Sequence, residues 1–220
     1  MRFKKAELDV RTRYIADLEK SLTTYFKDYR NEQKSIIESL LKGHDTVVRL
    51  RTGGGKSLCF QAPAIISQGV TIVISPLQAL CNDQVDNFNK KYCTEAVTEF
   101  NKKYAEAHPE CAGFLSDKMP KAEFDLSVSK LVKNNNDDNT ECKLLYLSPE
   151  MLNKPVYRQE LIEAVASGKL KISMIIFDEA HCLSEWGFNF RESYFQICST
   201  IARLKKYQEI PMGIFSASLT

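Results

Sequence analysis

Residues 46–64 join three local signals in an order that few folds accept. Thr46-Val47-Val48-Arg49-Leu50 is a short β-branched run. Arg51-Thr52-Gly53-Gly54-Gly55 follows, with three glycines in succession, and Lys56 to Ala64 reads as an apolar helix. A strand, a glycine turn and a helix in that order point the first helical N–H groups at the turn, with the positive end of the helix dipole behind them. Glycine admits positive φ and lets backbone approach a ligand closely. Lys56 would then reach the β- and γ-phosphates of a nucleotide, and Ser57 would ligate Mg²⁺. The strict phosphate-loop pattern wants glycine at position 50, where this chain has Leu50, so the loop fits a looser T-G-x-G-K-S form. The competing reading is an ordinary glycine-rich turn with a solvated lysine.

A second segment supplies what such a loop needs. Ile175-Ile176-Phe177 is an apolar run that ends in Asp178-Glu179. Asp178 would hold Mg²⁺, directly or through water, and Glu179 would orient or deprotonate the attacking water. Taken alone, two acids after a strand could simply cap a helix. The lysine loop and the acid pair together specify an ATP site far better than either does.

The rest of the chain alternates strands with helices. Val70–Ile74, Lys143–Leu147, Ile172–Phe177 and Pro211–Phe215 read as buried strands. Helices are expected over about 32–41, 77–104, 156–166 and 197–206, with one or two more over Ala6–Tyr29. This order predicts an α/β fold with a mostly parallel sheet and helices on both faces. Such sheets bind ligands at the C-terminal ends of their strands, where both motifs lie. Lys133 to Thr140 is polar and turn-rich, and reads as a surface loop.

Composition narrows the classes further. A chain of 220 residues, 44% hydrophobic and 26% charged, suits one well-filled domain. Its net charge is only +2, so nucleic-acid binding would need a local basic groove. The seven cysteines are scattered singly with no CxxC pair, which gives a zinc site no support and fits reduced thiols inside a cell. No apolar run reaches the ~20 residues of a membrane span. The basic start Met1-Arg2-Phe3-Lys4-Lys5 has no apolar stretch behind it and does not read as a signal peptide.

These motifs, in this order, resemble the first RecA-like lobe of superfamily 2 helicases, and among them most closely the RecQ DNA helicases. Arg30 and Gln33 lie in Tyr29-Arg30-Asn31-Glu32-Gln33, which is similar to the family's adenine-binding motif. RTGGGKSLCFQAPA (51–64) resembles motif I, with Thr52, Gly53, Gly54, Gly55, Lys56 and Ser57 as the nucleotide contacts. VISPLQALCNDQV (73–85) resembles motif Ia, and LYLSPE (145–150) resembles motif Ib. Asp178-Glu179-Ala180-His181 matches motif II, and Phe215-Ser216-Ala217-Ser218 stands in the place of motif III. The resemblance implies a P-loop NTPase lobe over residues 22–220. It leaves residues 1–21 as a helical extension and places an insertion within about 87–141.

The resemblance also implies a track. HCLSEWGFNFR (181–191) is similar to the aromatic loop that follows motif II in RecQ enzymes and senses single-stranded DNA. Trp186, Phe188 and Phe190 offer faces for base stacking, worth ~1–3 kcal/mol per base, and Arg191 adds a cation. Gly187 and Asn189 suggest an irregular exposed loop, although three aromatics so close together often form a buried cluster. Ser75, Gln78 and Gln84 are the other implied DNA contacts. His181 would couple the catalytic acids to motif III through Ser216 or Ser218. The family has His-Asp where this chain has Phe188-Asn189, and commonly Thr-Ala-Thr where it has Ser216-Ala217-Ser218.

The implied activity is ATP-dependent 3′–5′ unwinding of DNA, in repair and recombination, within a nucleus or a bacterial cytoplasm and nucleoid. A second RecA-like lobe would complete the cleft and bring an arginine finger. The chain ends at Thr220 after motif III, so by itself it is expected to bind ATP weakly and to show little ATPase or unwinding. The alternatives are a lobe of another superfamily 2 motor, such as a DEAH-type RNA helicase or a duplex-DNA translocase, and an idle nucleotide-binding interaction module.

Overall fold

The computed structural model describes residues 30–92, 112–116, 142–181 and 188–217, with backbone alone for 91–92 and 188–194. The elements run in chain order as α1 (Asn31–Leu41), β1 (Thr46–Arg49), α2 (Lys56–Ile66), β2 (Val70–Ile74), α3 (Gln78–Tyr92) and β3 (Ala112–Leu115). They continue as β4 (Leu144–Leu147), α4 (Pro149–Asn153), α5 (Pro155–Ala166), β5 (Ile172–Phe177), α6 (Phe188–Leu204) and β6 (Met212–Ser216). The six strands form one sheet in the order β1-β6-β5-β2-β4-β3. Every neighbouring pair in it is parallel.

Parallel strands joined by helical crossovers need cover on both faces, and this explains the strand compositions. β2 and β4 are buried at every position. On one face α1, α2 and α3 pack Ile37, Leu40, Phe60 and Phe88 against Val73, Tyr146, Ile176 and Phe215. On the other face α4, α5 and α6 bring Met151, Ile162, Ile197 and Ile201 to Ile72, Leu145, Ile175 and Phe177. Phe60 meets Phe215 edge to face, with ring centroids 5.4 Å apart, and so ties α2 to β6. An extra residue in β5 shifts its register with β2, which pairs Val70 with Ile172 but Thr71 with Met174. The skipped Ser173, half-buried, places its hydroxyl 2.8 Å from Thr71 Oγ1, which satisfies the buried Thr71 hydroxyl.

The predicted architecture is present, with four local differences. The helix expected over 77–104 is described from Gln78 to Tyr92, and its further extent lies outside the described residues. So do the helices expected over 6–29, the extension over 1–21 and the polar run at 133–140. Ala112–Leu115 is a strand that the sequence reading did not expect. It survives at the sheet edge because Asn89 of α3 clamps its first peptide. Ala112 N donates to Asn89 Oδ1 at 2.8 Å, and Asn89 Nδ2 donates to Ala112 O at 3.1 Å. A short helix, α4, follows Ser148-Pro149, with the Ser148 hydroxyl capping Met151 N at 3.3 Å.

The fourth difference concerns the aromatic loop. Phe188, Phe190 and Arg191 are helical, in the first turn of α6, not in an irregular loop. Asn189 is therefore a helical residue, and the helix expected from Ile197 begins nine residues earlier, at Phe188. Trp186 and Ser218 lie outside the described residues.

Gly213 of β6, paired with Thr46 at the start of β1, lets the C-terminal part of α1 lie close over the sheet. A Cβ there would stand 2.8 Å from Ile176 Cδ1, 2.8 Å from Phe215 Cε2 and 3.3 Å from Leu40 Cδ2. Gly213→Ala is expected to destabilise the chain by about 1–3 kcal/mol through overpacking, read as a lower denaturation midpoint. An unchanged midpoint would show that α1 sits more loosely on the sheet than described here.

Candidate nucleotide site

The sheet delivers two segments to one edge. β1 ends in the turn at residues 50–55, and β5 ends at Asp178, with β6 between them. The turn is shaped by its glycines. Gly53 and Gly55 adopt φ of +73° and +79°, where side chains are strained. A Cβ on Gly54 would stand 2.7 Å from Arg51 O, the carbonyl that its own amide binds at 2.8 Å. A Cβ on Gly55 would collide with the Gln33 amide. Each glycine thus has a separate steric reason. Gly55 is also the N-cap of α2, so the helix starts at Lys56 with its free N–H groups facing the turn.

Gln33 holds this turn from behind. It is 5% exposed. Its Oε1 accepts from Arg30 N at 2.7 Å, and its Nε2 lies 3.2 Å from Gly55 O and 3.4 Å from Gly54 O. The expected adenine contact of Gln33 therefore sits beside a second contact, with the loop's own backbone. Arg30 and Thr52 are exposed, and Ser57 is half-buried at the start of α2.

Lys56 is 8% exposed, and its Nζ lies 2.9 Å from Glu179 Oε1. The other Glu179 oxygen lies 3.1 Å from His181 Nδ1, and that nitrogen is 3.5 Å from Ser216 Oγ. The four residues form a line from the glycine turn to the end of β6. This places His181 between the acid and Ser216. The Nδ1–Ser216 Oγ contact meets hydrogen-bond geometry, with either group able to donate according to the imidazole tautomer, whereas Glu179 Oε2 lies within ion-pair distance of Nδ1 without a hydrogen bond. Glu179 has φ of +51°, the one non-glycine residue with positive φ among the described residues. That conformation costs roughly 1–2 kcal/mol. It is held by Ala180 N donating to Phe215 O at 2.8 Å and by Glu179 N donating to Asp178 Oδ1 at 3.0 Å.

Asp178 is buried, and burial pushes its carboxyl up from 3.8 to about 6. The neighbouring Glu179 carboxylate raises it further, while the Glu179 amide, Lys56 and His181 act in the opposite direction. A buried carboxylate with too little compensating charge is suited to a cation. Among the described residues no three His, Cys, Asp or Glu side chains gather to form a protein-only metal site. The fit is to Mg²⁺, which keeps waters and commonly takes one or two protein oxygens plus the phosphates of its nucleotide. Asp178 and the Ser57 hydroxyl are the residues that would hold it.

The expected DNA contacts fare differently. Ser75 is 1% exposed, its amide already donates to Leu147 O at 3.1 Å, and its hydroxyl is sealed from solvent. As placed here it offers a strand nothing, because the turn before α3 folds it inward. Gln78 is half-buried in the first turn of α3. Gln84 is half-buried too, and its Oε1 accepts from Gln61 Nε2 at 3.1 Å. That pair was missed from the sequence. The available signal was one glutamine inside the otherwise apolar run of α2.

A parallel α/β sheet with a lysine loop and an acid pair at one edge defines the class of P-loop NTPase lobes. Residues 30–220 match the family model of the DEAD/DEAH box helicases, and the chain belongs to that family. Its curated relatives include the probable ATP-dependent DNA helicase RecS of Bacillus subtilis. That protein is 35% identical over 181 residues, covering 82% of this chain and 30% of RecS. RecQ of Synechocystis is 32% identical over 195 residues, covering 88% and 35%. Helicase Q5 of Rattus norvegicus is 36% identical over 173 residues, covering 78% and 15%. The chain thus spans about a third or less of the length of these relatives. Among solved structures, the helicase MrfA bound to DNA shares the fold at a TM-score of 0.64 and 16% identity, covering 92% of this chain and 26% of MrfA. Mss116 bound to single-stranded RNA does so at 0.59 and 20%, covering 86% and 36%.

The raised Asp178 pKa has a definite sign. The fold favours the protonated acid, so this contribution to stability is complete below about pH 4 and is lost as pH rises through about 6. Asp178→Asn should therefore raise the melting temperature of the nucleotide-free chain at pH 8 and leave it nearly unchanged at pH 4. Binding of Mg²⁺-nucleotide displaces that proton, so its affinity should strengthen between pH 5 and 7 in wild type. A pH-independent affinity, or a destabilised Asp178→Asn at pH 8, contradicts this picture.

Proposed function

We propose that this chain is the ATP-binding lobe of a RecQ-type DNA helicase. Completed by a second RecA-like lobe, it would hydrolyse ATP to move 3′ to 5′ along DNA and unwind it. The observation that carries the reading is the 2.9 Å contact between Lys56, at the glycine turn, and Glu179, at the end of β5. It puts a phosphate-binding cation and a candidate general base in one place. The sequence similarity to RecQ enzymes on both sides of this site supports DNA as the track.

The residues divide the work as follows. ATP phosphates would seat on the free N–H groups of residues 53–57, with Arg30 and Gln33 on the adenine side. Lys56 would leave Glu179 for the β- and γ-phosphates, so binding exchanges one anionic partner for another. Mg²⁺, held by Ser57 and Asp178, supplies neutralisation of the charge that develops on the transferred phosphoryl group. Glu179, freed from Lys56, would take the proton of the attacking water. His181 would keep the second Glu179 oxygen oriented and relay its position to Ser216 and Ser218. Trp186, Phe188, Phe190 and Arg191 would meet single-stranded DNA, with Phe188, Phe190 and Arg191 presented from a helix start. Gln78, and Ser75 after a local rearrangement, are the further proposed contacts.

Two measurements test this. In the protein completed by its second lobe, single-stranded DNA should stimulate ATP hydrolysis well above the level given by RNA of equal length. Stimulation by RNA alone would favour an RNA motor. Glu179→Gln should lower turnover by about 10²–10⁴-fold, the usual contribution of a general base. It should leave ATP affinity equal or tighter, because the variant no longer holds Lys56 as an ion pair. Lost ATP binding in Glu179→Gln would contradict the exchange.

A further inference from the structure

Helices α2 and α3 carry the two halves of the proposed machine. α2 begins at the phosphate-binding lysine, and α3 begins in the segment proposed to face DNA. The pair is not among the elements in extensive contact with each other. A side-chain hydrogen bond spans them. Gln61 Nε2 of α2 donates to Gln84 Oε1 of α3 at 3.1 Å, and both residues are half-buried. Gln61 lies four residues after Ser57, one helical turn away on the same face. Displacement of Ser57 toward a bound cation therefore moves Gln61 with it.

The bridge has a polar backing. Tyr146 of β4 is buried, and its hydroxyl lacks a partner at standard hydrogen-bond geometry, with the Gln61 amide within electrostatic reach. Cys81, on α3 one turn before Gln84, approaches the Ser75 hydroxyl, and both Cys81 and Tyr146 feel the Asp178 charge. An under-satisfied buried hydroxyl beside a hydrogen-bonded amide pair is a group with two available arrangements. Toward its C-terminal end α3 is fixed to β3 through Asn89, and Gln84, in the middle of the helix, is where its side chains join it to α2.

We propose that Gln61 and Gln84 are positioning residues that transmit the state of the nucleotide site to α3, with the Tyr146 hydroxyl as the alternative partner of the Gln61 amide. Gln84 then serves DNA binding through Gln61 and not by touching the strand. The inference rests on the proposed function above, since it needs both a nucleotide and a DNA strand.

The test is thermodynamic linkage in the full chain. ATP-analogue affinity is measured with and without a saturating single-stranded oligonucleotide, and the ratio is the coupling factor, typically about 5–150-fold in coupled proteins. Gln61→Ala should leave nucleotide affinity without DNA within about twofold and bring the ratio close to one. The double variant with Gln84→Ala should lose no more coupling than Gln61→Ala alone. Gln61→Leu, which keeps the side chain's approximate size and removes the amide, should also uncouple the sites, whereas Gln84→Glu keeps the acceptor and should retain coupling. Tyr146→Phe should reduce the ratio partially without altering the melting temperature greatly. The inference is overturned if Gln61→Ala keeps the wild-type ratio while Gln84→Ala weakens DNA binding in the absence of nucleotide, which would make Gln84 a direct contact. A wild-type protein, completed by its second lobe, that binds nucleotide but no single-stranded DNA overturns the parent reading first, before any variant is compared.

Discussion

Lys56 is a buried cation at the mouth of a glycine turn, and the Glu179 oxygen 2.9 Å away is what makes its burial tolerable. Removing either partner of such a pair leaves an uncompensated charge, commonly worth about 3–5 kcal/mol. The rest of the site is arranged around that need. β6, lying between β1 and β5, accepts Ala180 N and fixes the turn that aims Glu179 backward at positive φ. Gln33 braces the glycine turn from the other side. In the proposed mechanism an incoming phosphate would satisfy Lys56 just as well, and would release the acid assigned to hydrolysis. The same contact therefore closes the resting site and primes the occupied one.

Asp178 answers to a different constraint. It is buried among groups that only partly offset its charge, and its carboxyl is held up to about 6. A site tuned for the protein alone would pair this acid more fully. A site tuned for a metal–nucleotide complex leaves it short of positive charge until that complex arrives. Instability around Asp178 and affinity for the ligand are two expressions of one electrostatic arrangement.

Much of this was legible in the sequence, for physical reasons. Val70–Ile74 and Ile172–Phe177 are too uniformly apolar for anything but strands buried on both faces, and that alone implies a parallel sheet with helices on each side. Three glycines before Lys56 announce a tight turn between β1 and α2, with the lysine at the helix start. What stayed hidden depends on side-chain direction and tertiary company. β3 is four residues with a central glycine, stabilised by Asn89 from a distant helix, and no local pattern announces it. The start of α6 was obscured because Gly187 and Asn189 look loop-like, while the following residues carry enough helical preference to begin the helix at Phe188. Ser75 and Gln84 were read outward by resemblance and lie inward or tied to Gln61 in the fold. A motif fixes which residues gather at a site, whereas packing decides which of their atoms face a ligand.

The central claim is that nucleotide and Glu179 compete for Lys56. A crystal structure of the chain with magnesium and a non-hydrolysable ATP analogue addresses it directly. The account predicts Lys56 Nζ on the phosphates, its pair with Glu179 broken, and the Glu179 carboxylate turned toward the water in line with the γ-phosphate. Electron density showing the nucleotide bound with the Lys56–Glu179 pair intact would contradict it.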